Sequence, residues 1–218
     1  MEKFEKISFS LITFIVLIGL ALAFYDRPWF ESNYVVEDGF VEWLTVIALL
    51  SGAVVMFKRA INLKATKSKL FIMCLVGMGL VFLFGAGEEI SWGQRIFGIK
   101  SPEFFMNHNS QYETNFHNLM FQGKSINRII FGTGLGIMVA IYMLLMPYLF
   151  ERKENIKNLI NKFAIPVPKW SHVLFALFIF GLVSLTPSGK KGELREFGLC
   201  WTFFVLMYNP RNKLIYKE

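Results

Sequence analysis

Glu88, Glu89, Ser91, Trp92, Gln94 and Arg95 fall within eight positions of the segment GAGEEISWGQRIFGI, residues 85–99, in a chain otherwise rich in apolar residues. If a helix runs through them, Glu88, Ser91 and Arg95 share one face, and Glu89 is turned about 100° away. Downstream, Glu113 and His117 stand at i and i+4. That spacing suits a carboxylate that orients an imidazole for acid–base work, or a pair that chelates one divalent ion. Glu42 beside Trp43, and Glu196 beside Arg195, open two further apolar stretches.

These residues define an expected site. Glu88 or Glu89, with His117, would bind a divalent metal ion or activate water, and Glu113 would orient His117. Arg95 and Arg195 would grip an anionic headgroup, since a guanidinium holds phosphate bidentately. Gln94, Glu42 and Glu196 would complete the substrate-binding wall. A plainer alternative is an interfacial helix end, with solvated carboxylates, Trp92 as a belt anchor and Arg95 reaching to the headgroups. No GxSxG, HExxH or P-loop pattern narrows the reaction further.

The elements that must position this site belong to a membrane. Of the 218 residues, 54% are hydrophobic and 18% charged, whereas soluble domains run about 45–50% apolar and about 25% charged. The mean hydropathy is +0.45. Crossing a ~30 Å hydrocarbon layer takes about 20 apolar residues. Six stretches approach this, at 8–25, 40–57, 70–88, 126–149, 171–187 and 194–208. The first is read as a span and not a cleaved leader, because its apolar run exceeds the ~7–15 residues of a signal sequence. The last is the weakest, being short and charged at its start. Gly77, Gly79 and the pair Gly132 and Gly136, at GxxxG spacing, are expected to mark close helix contacts.

Ser101-Pro102-Glu103 reads as a helix start, and Ser110 with Glu113 fits a capping box. Two short interfacial helices are therefore expected in the connection between spans three and four, at 102–107 and 111–122. The second would carry Tyr112, Phe116, Leu119 and Met120 as an apolar stripe. The fold class is an all-α integral membrane protein, with a single domain over 1–218 and a bundle of about six transmembrane helices. Cys74 and Cys200 sit in apolar stretches and suggest no disulfide framework.

Charge sets the direction. Of the 23 Lys and Arg, 15 fall on the side that carries both termini, so the termini are expected in the cytoplasm. The formal charge of +7 is then a topology signal and an attraction to anionic membrane lipids, with no need for a nucleic-acid partner. Eleven of the 16 carboxylates lie on the opposite, outer side, which orientation does not demand. His172, at the cytoplasmic end of span five, reads as an interfacial residue.

The string EEISWGQRIFGI followed by ETNFHNL resembles a motif pair of an uncharacterised family of bacterial multi-pass membrane proteins. The likeness covers mainly residues 84–120, and it implies a bacterial inner (plasma) membrane location without an established activity. A second likeness is to intramembrane proteases of the CAAX-processing type, which look like EExxxR followed by FxxxH. Here the arginine comes two positions late after Glu88-Glu89, and the further His motif is absent.

Three function classes remain. The first is a membrane-embedded, metal-dependent hydrolase or transferase acting on a lipid or lipid-linked substrate at the outer leaflet. The second is a cation transporter or channel, whose outer carboxylates concentrate cations. The third is a structural or partner-binding membrane protein.

Overall fold

The computed structural model describes residues 1–116, 118–121, 124–125 and 134–217. The regular structure of the described residues is helical apart from one two-residue antiparallel pairing, Met120–Phe121 with Lys124–Ser125, and one isolated bridge between Asn109 and Leu119. In chain order the helices are α1 (Lys3–Tyr25), α2 (Arg27–Trp29), α3 (Phe40–Leu63), α4 (Lys69–Glu89), α5 (Gln94–Phe97), α6 (Glu103–His108), α7 (Leu135–Arg152), α8 (Glu154–Lys162), α9 (Trp170–Ser184) and α10 (Lys191–Tyr208). Among the described residues, α1, α3, α4 and α7 are long and apolar enough to cross a membrane, and α9 is a shorter apolar helix.

The expected stretches 8–25, 40–57 and 70–88 lie inside α1, α3 and α4, each of which runs further at one end or both. Residues 126–133 of the fourth stretch, Gly132 included, lie outside the described residues. Of the other glycines expected at helix contacts, Gly79 is one: a Cβ there would meet the Phe57 ring at 2.7 Å. Gly77 and Gly136 have nothing within 4 Å, so their small size serves no packing contact among the described residues. Gly52 is the counterpart on α3, against Phe82 of α4 at 2.8 Å.

α10 packs against α1, α3 and α9, and α3 packs along α4. Leu194, Phe197, Val205 and Leu206 of α10 are fully buried or nearly so. Its neighbours, and not lipid, therefore cover most of its apolar side, which explains why its hydropathy is weak. Trp201 Nε1 donates to the Leu44 carbonyl at 2.9 Å and ties α10 to α3. Before α3, a wide helical turn at Phe30–Tyr34 folds back on α1, where the Tyr34 hydroxyl donates to the Ile15 carbonyl at 2.9 Å. Burial pushes that hydroxyl up to about 12, so it remains a donor at neutral pH.

The bundle has two polar ends. At the end carrying both termini, Glu5 Oε1 accepts from Lys169 Nζ (2.8 Å) and Asn209 Nδ2 (3.1 Å), and lies 3.0 Å from His172 Nε2. His172 Nδ1 faces the Lys169 amide at 3.4 Å, so the neutral tautomer with its proton on Nε2 satisfies both ring nitrogens. His172 is fully buried within the protein, because it and Glu5 close the junction of α1, α9 and α10. The opposite end, where α3 and α10 begin and α4 stops, collects the expected site residues.

Candidate functional site at the acidic end

α4 does not continue through the motif. It stops at Glu89, and Ser91 (φ 47°), Trp92 (φ 55°) and Gly93 (φ 76°) take three successive left-handed conformations that reverse the chain. Left-handed backbone strains residues that carry a Cβ, and local bonds hold it here. A Cβ at Gly87 would sit 2.9 Å from the Trp92 ring, so glycine lets that ring fold back onto α4. Trp92 Nε1 then donates to Glu88 Oε1 at 2.8 Å, and the Phe116 amide donates to Glu88 Oε2 at 2.6 Å. Glu88 is buried and engaged.

The reversal brings Arg95 into a ring of carboxylates. Its NH1 donates to Glu113 Oε1 at 2.5 Å and its NH2 to Glu42 Oε1 at 3.5 Å. Its Nε stands 2.7 Å from Asp38 Oδ2 as a close ion pair whose angle misses a hydrogen bond, and Glu37 Oε2 lies 4.0 Å from NH1. The arginine expected to hold an anionic headgroup is thus already surrounded by negative charge. Glu42 Oε2 also accepts from the Asp38 amide at 2.6 Å, closing the turn that starts α3.

The expected helix at 111–122 does not form. Asn109 Oδ1 takes the amides of Gln111 (2.9 Å) and Glu113 (3.2 Å), so the Glu113 amide is unavailable to a Ser110 cap. Side-chain bonds of this kind compete with helix, and Tyr112 is left-handed at φ 61°. The intended stripe is split: Tyr112 and Phe116 are exposed while Leu119 is buried. The expected helix at 102–107 is present as α6.

Glu113 lies in an irregular stretch, residues 110–116, and not on a helix. His117 itself lies outside the described residues. Glu113 Oε2 accepts from Ser91 Oγ (2.6 Å) and Asn115 Nδ2 (3.0 Å), and Asn115 Nδ2 also bonds Ser91 Oγ at 2.8 Å. Gln94 Oε1 accepts from the Thr114 amide (2.7 Å) and from Ser101 Oγ (3.0 Å), which anchors the same loop.

Glu89, Glu193 and Glu196 differ from these. They are half-buried where α4 meets the start of α10, and their charges bear on one another and on Glu42. None of the three side chains makes a hydrogen bond or salt bridge to a described residue. Arg195 is exposed beside Glu196. Among the described residues, no group of three or more His, Cys, Asp or Glu side chains stands where it would hold a metal ion directly.

Asp38, Asn109 and Asn115 are site members that the sequence reading missed. For the two asparagines the signal was the clustering of Asn and Ser in NHNSQYETNFHN, which favours side-chain-capped turns over helix. Compared with family models, curated proteins and solved structures, the chain shows no match.

Proposed function

We propose that this multi-pass membrane protein binds a hydrated divalent cation at its acidic end, among Glu89, Glu193 and Glu196, for a hydrolase or transferase reaction on a lipid or lipid-linked substrate. The observation that carries the reading is a contrast in charge. Arg95 is taken by Glu37, Asp38, Glu42 and Glu113, while Glu89, Glu193 and Glu196 form no salt bridge among the described residues, with Lys190 acting on Glu193 and Arg195 on Glu196 only at longer range. Like charges held close together in a poorly solvated place call for a compensating positive charge. Mg²⁺ suits an open arrangement, since it keeps several waters and takes one or two carboxylates. Bound there, such an ion would polarise a phosphoryl oxygen and orient a water molecule toward it.

A channel is less well supported. Between the two ends, the Thr45 and Thr202 hydroxyls bond their own helix carbonyls, and the Trp201 ring bonds Leu44. These polar groups are spent on protein and do not line a path. The excess of Lys and Arg at the end with the termini supports a cytoplasmic placement of that end, in a bacterial plasma membrane, with the carboxylates outside.

Thermal unfolding of chelator-stripped protein, titrated with Mg²⁺ or with K⁺ at matched ionic strength, tests the reading. The parent is expected to gain stability with Mg²⁺ alone, and Glu89→Gln combined with Glu196→Gln to lose that gain. Equal responses to the two salts, or an unchanged gain in the double variant, would overturn it.

A further inference from the structure

At the opposite end of α3, Arg59 lacks a counter-ion. Lys157, Lys169, Arg211 and Lys213, on the same end of the bundle, each pair with a carboxylate. Arg59 pairs with none among the described residues. Its NH2 donates to the Tyr208 carbonyl at 3.0 Å, and its guanidinium carbon lies 4.0 Å from the centre of the Tyr216 ring. NH1 is covered and has no hydrogen-bond partner. The head of the side chain is thus held in place with no carboxylate partner among the described residues.

A groove of ≈ 370 Å³ lies between α3 and α10 and takes in Tyr208, the residue whose carbonyl accepts from Arg59. Its walls include Ile47, Leu50, Val54 and Val55 of α3 with Phe204 and Tyr208 of α10. Ser51, Val55 and Arg59 follow at i, i+4 and i+8, so the guanidinium stands on the stripe of α3 that forms the groove. Nineteen positions separate Phe40 from Arg59, about 28 Å at ~1.5 Å per residue, which puts Arg59 one hydrocarbon thickness from the acidic end. An apolar trough at acyl-chain depth therefore ends beside a cation at headgroup depth that has no carboxylate partner among the described residues.

We propose that this groove binds one anionic phospholipid, with an acyl chain between α3 and α10 and its phosphate against Arg59. The phosphate would accept a charge-assisted hydrogen bond from the guanidinium and supply a negative charge beside it. Burying one chain along Leu50 and Val54, which are 41% and 49% exposed, adds apolar contact that free phosphate cannot make.

The test uses the full chain in phosphatidylcholine nanodiscs doped with phosphatidylglycerol, and reads by native mass spectrometry the lipid retained after release. The parent is expected to keep phosphatidylglycerol over phosphatidylcholine. Arg59→Gln should weaken that preference by about tenfold, the scale of a lost charge-assisted hydrogen bond. Val54→Trp, at an exposed position, should reduce retention by filling the trough while the fold is kept. Lys64→Gln, an exposed cation further along, should change nothing. Full preference in Arg59→Gln, unchanged retention in Val54→Trp, or an equal loss in Lys64→Gln would each overturn the proposal. So would inorganic phosphate alone displacing the lipid, since that would make the site a simple anion site.

Discussion

Arg95 and Glu113 meet at 2.5 Å across 18 positions of chain, and the pair fastens the irregular segment after α6 to the turn that follows α4. Replacing Arg95 by Met leaves Glu42 and Glu113, each with 9% side-chain exposure, without an opposite charge. Removing one partner of a buried pair costs on the order of 3 kcal/mol. The variant is expected to melt lower, with faster amide exchange at 109–116. Exchange equal to the parent's would deny Arg95 this fastening role.

The Glu5 junction makes a different demand. Glu5→Leu removes the acceptor shared by Lys169, His172 and Asn209, and the last two are buried. Each stranded buried donor costs about 1–3 kcal/mol. A large fall in melting temperature is expected, with part recovered when Asn209→Leu is added, because one stranded amide is then gone. If the second change only deepens the loss, the shared-acceptor account fails.

At Gly198 a Cβ would lie 2.5 Å from Ile179 Cγ2, where α10 crosses α9. Gly198→Val is expected to destabilise the bundle by about 1–3 kcal/mol through overpacking. Pairing it with Ile179→Ala should restore part of the loss, as read by thermal unfolding in detergent.

Acid acts on the loops of the other end. The Ser188 hydroxyl, at 2.7 Å, and then the Arg27 guanidinium hold the Glu31 carboxyl below the usual carboxylate range. A lowered value means that this contribution is complete above the ordinary carboxylate value and is lost as pH falls through the lowered one. Between neutral pH and that value, Glu31→Gln should be less stable than the parent. The difference should shrink on further acidification. A gap that widens with acid would contradict the assignment.

The long apolar helices were legible in the sequence because hydropathy over about 20 residues is a strong local signal. α10 was harder to read: Phe197 and Val205 are apolar for protein neighbours, while Glu193, Arg195 and Glu196 crowd its start. The site was legible in composition and not in arrangement. Adjacent carboxylates and an arginine marked the right end of the bundle, yet the pairing of Arg95 with Asp38 spans 57 positions and no periodicity encodes it. The helix expected at 111–122 rested on Ser110 and Glu113, two residues whose capping geometry Asn109 pre-empts.

The shelter that α1, α3 and α9 give to α10 has a consequence for biogenesis. A segment that opens with four charged side chains and buries its best apolar residues against protein gains little from lipid alone, so a translocon would hand it over poorly by itself. Three earlier helices of the chain form the berth that receives it, which makes insertion of this fold a sequential process in which a late guest depends on its hosts.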